Sequence, residues 1–136
     1  IYRGSDWNTE CRRAYLMTHG ADLTVPIVML EARISNHCVD IGYVLAQRFW
    51  GQGLMSEAVR RFAAIALATS PIFRVQGACD AENVGSARVL EKSEFSREGT
   101  LQRFAVHPNA SKEPRACHMY ARCRSLEPST AIENAA

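Results

Sequence analysis

The fold is decided by IGYVLAQRFWGQGLMSEA, residues 41–58, in which an apolar run leads through two glycines into a segment with helical patterning. Apolar positions recur at the spacing of one helix face over 54–68, which predicts an amphipathic helix. The first backbone N–H groups of a helix lack internal partners and carry the positive end of its dipole. Gly51 and Gly53 would let an anion approach them without meeting a Cβ, which predicts a phosphate or pyrophosphate site. The expected buried face comprises Met55, Val59, Phe62 and Ala66, reinforced by Leu54, Ala58 and Ile65.

Two other interpretations of these glycines remain open at this point. They can simply make a tight turn, which is the commonest role of glycine in a loop. Together with Ser56 they also approach the GxGxxG fingerprint of dinucleotide-binding folds. That fingerprint needs an acidic residue about 20 positions later, and PIFRV (71–75) offers none, so the dinucleotide interpretation is disfavoured.

The flanking sequence predicts a mixed α/β fold built on a largely antiparallel sheet. Two β-rich runs, 25–34 and 39–46, are joined by the turn residues 35–37 and indicate a hairpin, in which Gly42 suggests a bulge or a close backbone approach. One strand–helix–strand crossover passes through the helix at 54–68. The remaining predicted elements are a helix over 5–18, a strand over 73–79, a helix over 83–93, and strands over 95–106 and 117–124.

Composition limits the classes of protein and partner. The chain has 136 residues and 15.1 kDa, with 47% hydrophobic and 22% charged residues, which predicts a single domain spanning 1–136. Its net charge of +2 gives no reason to expect nucleic acid as a partner. No run approaches the roughly 20 apolar residues of a membrane span, and the start lacks the profile of a secretory signal. We therefore expect no membrane partner.

The cysteines favour a reducing compartment. There are five of them, an odd number without CxxC spacing, which suits reduced thiols in the cytoplasm better than a disulfide framework. Cys117, His118 and Cys123 do not match a standard zinc-ligand spacing, so no metal is expected.

Three segments carry a resemblance to a known family. WGQGLMSEA (50–58), NVGSARVLEKSEF (83–95) and REGTLQR (97–103) resemble the GCN5-related N-acetyltransferase (GNAT) superfamily, in particular its RimJ/RimL-like branch of ribosomal-protein N-terminal acetyltransferases. The resemblance covers about residues 23–124. It implies the GNAT acyl-CoA N-acyltransferase fold, acetyl-CoA as cosubstrate, and direct acetyl transfer to a primary amine. The acceptor could be a protein N-terminus, a polyamine or an amino sugar.

The resemblance also implies which residues contact the cofactor. Backbone groups of Tyr43, Val44 and Leu45 would bind the pantetheine arm. Asn83 would contact its thiol end, although a plain helix N-cap would equally explain an Asn there. Met55 stands where the family usually has a small residue, and we expect it to crowd the phosphate. The implied pyrophosphate loop is Trp50, Gly51, Gln52, Gly53, Leu54 and Met55.

The catalytic residues are less directly indicated. Family members often place a Tyr acid seven residues after the Asn, where this chain has Leu90. The branch instead implies Ser86 as hydrogen-bond donor near the sulfur, with backbone capping as the alternative. A carboxylate near a strand end would serve as general base. Asp40 is the first candidate, with Glu31 and Asp80 behind it, and an ordinary surface acid is the alternative for each.

Two departures from the family pattern complete the expectations. Glu94 replaces the Gly that normally ends the second helix in the left-handed conformation. Only about 22 residues precede the hairpin, so the family's first strand is expected to be missing or replaced and 1–22 to be atypical. The residues 126–136 are expected to be a frayed tail. A non-catalytic CoA-binding or interaction module is therefore the alternative function, and a homodimer is left open.

Overall fold

The sheet has six strands and carries two helices. A computed structural model describes residues 11–18, 26–45, 49–108 and 110–125. The strands lie in the order β1-β2-β3-β4-β6-β5, and every neighbouring pair is antiparallel except β3 and β4. The elements are β1 (Cys11–Thr18), β2 (Pro26–Ser35), β3 (Cys38–Leu45), α1 (Leu54–Leu67), β4 (Arg74–Asp80), α2 (Val84–Lys92), β5 (Ser96–Ala105) and β6 (Arg115–Cys123).

The prediction of a mixed, largely antiparallel fold is confirmed. From β2 onward every predicted element is present and ends within two residues of its predicted bounds. The crossover is the parallel β3–α1–β4 unit. The hydrophobic pattern was sufficient to predict these elements because each one combines a clear helical or alternating period with turn residues at both ends.

The prediction for the N-terminal segment is wrong. Cys11–Thr18, expected within a helix, is a strand that pairs antiparallel with β2 from Cys11↔Ile34 to Thr18↔Pro26. A strand, and not a helix, therefore precedes the hairpin. An open β2 edge offers a row of backbone donors and acceptors, and pairing with them outweighs a weak helical spacing. The rest of 1–22, and 126–136, lie outside the described residues.

The β2–β3 hairpin forms as predicted, with one difference. Its turn is Asn36-His37, and Asn36 has the left-handed φ of 53° that Asn tolerates better than most residues. Gly42 marks neither a bulge nor a close approach. Its register with β2 is continuous at Glu31↔Gly42, and an added Cβ would have nothing within 4 Å.

The core lies between the helices and one face of the sheet. The predicted α1 face is confirmed for Met55, Val59, Phe62 and Ala66, all of which are buried. Ile65 is 57% exposed, so its predicted place in that face is wrong. The sheet contributes Leu30, Ala32, Ile34, Val39, Ile41, Val75 and Cys79 to the same cluster. Among the described residues, no helix is long and apolar enough to cross a membrane.

The C-terminal end of α2 shows the geometry expected from its sequence. Glu94 has φ 72°, the left-handed conformation that a glycine would adopt without strain. The N–H of Phe95 donates to the carbonyl of Leu90 at 3.0 Å, and that of Glu94 to Glu91 at 3.1 Å, which together form a Schellman motif. Buried Ser93 donates to the carbonyl of Ser56 at 3.0 Å and so ties this end of α2 to the first turn of α1.

Candidate active site

A notch opens in the sheet between β3 and β4. The two strands pair only from Cys38↔Arg74 to Asp40↔Gln76, although β3 continues to Leu45 and β4 to Asp80. We call the gap between 41–45 and 77–80 the notch. At the closed end of the notch, Gly77 lets β4 approach β3 closely, because a Cβ at this position would lie 3.3 Å from Cγ1 of Ile41. Beyond that point the β4-facing edge of β3 has no strand partner among the described residues.

The turn before α1 leaves the helix N-terminus open. Gly51 and Gly53 have φ 78° and 72°, and a Cβ at either position would have nothing within 4 Å. Gly53 is the N-cap of α1, and no side chain caps the helix there. Among the described residues, the first N–H groups of α1 therefore have no side-chain cap, and the turn beside them has room for a ligand, which is an arrangement suited to a phosphate group.

Of the other residues in the implied pyrophosphate loop, some are exposed and others are partly or fully buried in the core. Trp50 is 62% exposed, and its indole N–H donates to the carbonyl of Leu45 at 3.0 Å, which ties the turn to the end of β3. Gln52 is exposed and Leu54 half-buried. Met55 packs in the core at 5% exposure. Its effect on a phosphate beside the helix stays a prediction.

The junction between β4 and α2 is closed by its own side chains. Oδ1 of Asn83 accepts the N–H of Ser86 at 3.0 Å, which confirms the N-cap interpretation. Arg115 binds the carboxylates of Asp80 and Glu82, and Oδ1 of Asp80 also accepts the N–H of Glu82. The hydrogen bond from Arg115 is the main cause that lowers the pKa of Asp80 to about 2. This carboxylate braces the junction and is a poor candidate for a base.

Ser86 projects towards the notch from the first turn of α2. Its Oγ lies 2.7 Å from the hydroxyl of Tyr43 on β3, and the Tyr43 hydroxyl also lies 3.3 Å from the Ser86 carbonyl, so its one hydrogen can go to either oxygen. Burial raises the pKa of Tyr43 to about 12, so the phenol stays protonated at neutral pH. Burial also raises the pKa of the Cys79 thiol, and a hydrogen bond with Ser86 opposes that rise. The hydroxyl of Ser86 thus lies against the half-buried phenol of Tyr43.

Asp40 lies on the opposite face of β3 from Tyr43. It lines a cavity of about 250 Å³ together with Glu31, Arg33, Ile41 and Gly42. Burial raises the pKa of Asp40, while a hydrogen bond with Gln76 and the charge of Arg33 oppose the rise. Gln76 in turn accepts from Nε of Arg74 at 2.8 Å, which holds it in position.

The predicted site residues lie on both faces of the sheet. Ser86 and Asn83 lie on the helix side, and Asp40 and Glu31 on the other. Leu90, at the position of the family's Tyr acid, is fully buried and has no proton to donate. Sequence reasoning missed the side chain of Tyr43, the close approach at Gly77 and the support of Asp40 by Gln76. The alternation of β3 could have placed Tyr43 on the helix face with Ile41.

Comparison with known proteins places this geometry in a family. Residues 4–96 match the profile of the acetyltransferase (GNAT) domain. The chain belongs to the GNAT acetyltransferase family. Probable N-acetyltransferase YjcK of Bacillus subtilis is 38% identical over 63 residues, which span 46% of this chain and 35% of that relative's length. The chain therefore covers about a third of a curated relative.

Solved GNAT structures share the fold. RimJ of Mycobacterium smegmatis, in complex with CoA-disulfide, superposes with a TM-score of 0.73 at 20% identity, over 90% of this chain and 57% of that chain. RimL, a ribosomal L7/L12 alpha-N-protein acetyltransferase in its apo form, gives 0.73 at 22% identity, over 85% and 72%. At these identities the likeness establishes the fold alone. The GNAT fold thus accounts for the notch and for the helix that begins beside it.

Proposed function

We propose that this GNAT domain transfers an acetyl group from acetyl-CoA to a primary amine by direct attack. The observation that carries the proposal is the open N-terminus of α1, where Gly51 and Gly53 leave space beside uncapped N–H groups. A pyrophosphate fits that site by charge and by shape. The CoA complex of RimJ supports the choice of ligand.

The described residues fit the remaining parts of CoA. The free edge of β3 at Tyr43, Val44 and Leu45 offers backbone donors and acceptors to the amides of the pantetheine arm, in the manner of an added strand. Asn83 uses Oδ1 for its cap, which leaves its NH₂ group as a donor. When bound, acetyl-CoA supplies the activated acetyl group. The protein binds it, orients it and holds donors near the sulfur.

The acceptor would approach from the other face of the sheet. The cavity is lined by the carboxylates of Asp40 and Glu31 and by Arg33, which leaves a net negative charge that favours a cationic amine. An amine must lose a proton before it attacks, and burial moves the pKa of Asp40 upward, towards the range of a useful base. We assign Asp40 as general base, directly or through one water molecule. The acceptor is a peptide N-terminus or a small amine.

A non-catalytic CoA-binding module is the second candidate. The observation in its favour is Leu90, which fills the core at the position of the family's acid. A module of this kind would bind acetyl-CoA as tightly as an enzyme. It would release no CoA when amines are added.

Two measurements on the purified chain separate these functions. Calorimetry with acetyl-CoA and CoA should give a dissociation constant in the micromolar range, about −8 kcal/mol at 1 μM. A thiol-release assay should then detect turnover with at least one member of a panel of peptides with free N-termini, polyamines and aminoglycosides. Asp40→Asn should lower turnover about 100-fold without weakening acetyl-CoA binding. Arg61→Gln, on the exposed face of α1, is the matched control and should change neither quantity.

The outcomes are distinct. Binding with turnover supports the enzyme, binding without turnover supports the module, and no binding contradicts both. Turnover that survives in Asp40→Asn removes Asp40 from the assignment and leaves the reaction in place.

A further inference from the structure

We infer that Tyr43 is a positioning residue that holds the hydroxyl of Ser86 as an acceptor, so that the single hydrogen of Ser86 is directed at the sulfur of the bound thioester. The inference rests on the proposed function and deepens it. It assigns a role to the side chain of Tyr43, in addition to the role of its backbone in the pantetheine site.

The geometry allows only two hydrogen arrangements between these groups. In the first, Tyr43 donates across the 2.7 Å contact to Oγ of Ser86, and the Ser86 hydrogen is free to turn elsewhere. In the second, Ser86 donates to Tyr43, and the phenol hydrogen goes to the Ser86 carbonyl at 3.3 Å. The first uses the shorter contact for the phenol, whose burial keeps it protonated.

The sulfur of a bound thioester is the acceptor that the free hydrogen of Ser86 would meet in the notch. An anionic sulfur is a far stronger acceptor than a neutral hydroxyl, because charge-assisted hydrogen bonds are about twice as strong as neutral ones. Charge on the sulfur therefore favours the first arrangement. Leu90, without a hydrogen to donate, does not compete for this position.

The electron balance of the transfer explains what the arrangement stabilises. The amine nitrogen forms a bond to the acetyl carbon, and its proton goes to Asp40 or to water. The carbon–sulfur bond breaks, and its electron pair remains on the sulfur. The Ser86 hydrogen bond stabilises that negative charge, and the Tyr43 hydrogen bond polarises Ser86 in the same direction. No proton needs to leave Tyr43.

The first test measures the acidity of bound CoA and requires no turnover. The thiol of CoA is titrated by ultraviolet difference absorbance in the complex, with desulfo-CoA as the blank that cancels the protein's own cysteines and tyrosines. Tyr43→Phe removes one hydroxyl and keeps the ring. It should raise the pKa of the bound thiol in the wild-type background and leave it unchanged in Ser86→Ala.

The second test is a double-mutant cycle on kcat. Ser86→Ala should lower kcat by about 10- to 100-fold, and Tyr43→Phe by about 10-fold or less, because it acts through another residue. The double variant should be no slower than Ser86→Ala. The KM for acetyl-CoA should stay within about 2-fold throughout, which a general loosening of the notch would not allow.

Different results would overturn the role of Tyr43 and the acetyltransferase proposal. Additive losses in the double variant, or equal effects of Tyr43→Phe on thiol acidity with and without Ser86, would overturn the positioning role while the acetyltransferase proposal stands. If the wild-type protein binds CoA but shows no turnover, the thiol titration alone decides the inference. Absence of CoA binding would overturn both proposals.

A second variant covers the case in which Tyr43→Phe does not fold. Replacing Tyr43 with 3-fluorotyrosine preserves the hydroxyl and the packing while making the phenol a stronger donor. The inference requires the thiol pKa of bound CoA to fall or stay level and kcat to be retained. A loss of kcat in this variant would contradict it.

Discussion

Two strand-to-helix junctions flank the notch, and they satisfy their helix N-termini in opposite ways. Where β3 leads into α1, the N-cap is Gly53 and no side chain caps the helix. Where β4 leads into α2, Asn83 caps the helix, and Asp80 is held by Arg115. The first junction leaves its helix donors without a side-chain cap, and the second caps its helix with its own side chains. On the proposed function, the first would bind the ligand and the second would position Ser86.

The largest expected effect comes from closing the open junction. Gly53→Val should weaken CoA binding by about 100-fold or more, because a branched side chain would stand where the pyrophosphate approaches the backbone. Calorimetry checks it. A left-handed φ also strains a valine, so Asn36→Val at the β2–β3 turn is the matched control. The control should lose stability and keep its affinity for CoA. Equal affinity in both variants would refute the site.

Breaking the closed junction should change stability in a pH-dependent way. The pKa of Asp80 is about 2 in the folded protein, below the usual 3.8, because Arg115 binds it. The stabilisation that this lowered pKa represents is therefore complete above about pH 4 and is lost as the pH falls through about 2. Asp80→Asn should lower the urea midpoint at pH 7, and the difference from wild type should shrink between pH 4 and pH 2. A constant difference over that range would contradict the ion pair as the cause.

Substitutions of the α2 cap, Asn83, should have a smaller effect, and they distinguish a role in stability from a role in CoA binding. Asn83→Ala should cost about 1 kcal/mol of unfolding free energy, because the N–H of Ser86 loses its acceptor. Asn83→Asp keeps the acceptor and should keep the stability. If the amide of Asn83 also contacts CoA, Asn83→Asp should bind CoA more weakly despite its normal melting temperature. Equal binding would restrict Asn83 to capping.

The smallest effect concerns the other end of α2. Glu94 is left-handed, and it also pairs with Arg122 at 3.0 Å on the surface. Glu94→Ala removes the ion pair and keeps the strain, whereas Glu94→Gly removes both. The glycine variant should therefore exceed the alanine variant in stability by about 1 kcal/mol, measured by chemical denaturation. If the two variants are equally stable, backbone strain at this position is negligible.

Much of the fold was predictable because its signals are local. The α1 face, the Asn36-His37 turn and the left-handed Glu94 each depend on residues within a few positions of one another. The strand at Cys11–Thr18 was not predictable in this way. Its stability comes from pairing with β2, which is a non-local contact.

In the candidate site, too, local features were predictable from the sequence and non-local contacts were not. The glycine turn and the Asn83 cap are local motifs, and the sequence identified both. The contact of Tyr43 with Ser86 joins residues 43 positions apart, and no local pattern indicates it. Gln76 reaches Asp40 only because β3 and β4 are parallel neighbours. The sequence therefore predicted the glycine turn and the helix cap better than the side chains around Ser86.

Backbone amide NMR can locate the pyrophosphate of CoA, which we propose binds at the open N-terminus of α1. Titration with CoA should shift the amide signals of Gly53, Leu54 and Met55. Pantetheine, which lacks the pyrophosphate, should shift signals of β3 and of Ser86 while leaving those three unchanged. If CoA binds and the three amide signals do not shift, or if pantetheine shifts them equally, the pyrophosphate does not bind at the N-terminus of α1.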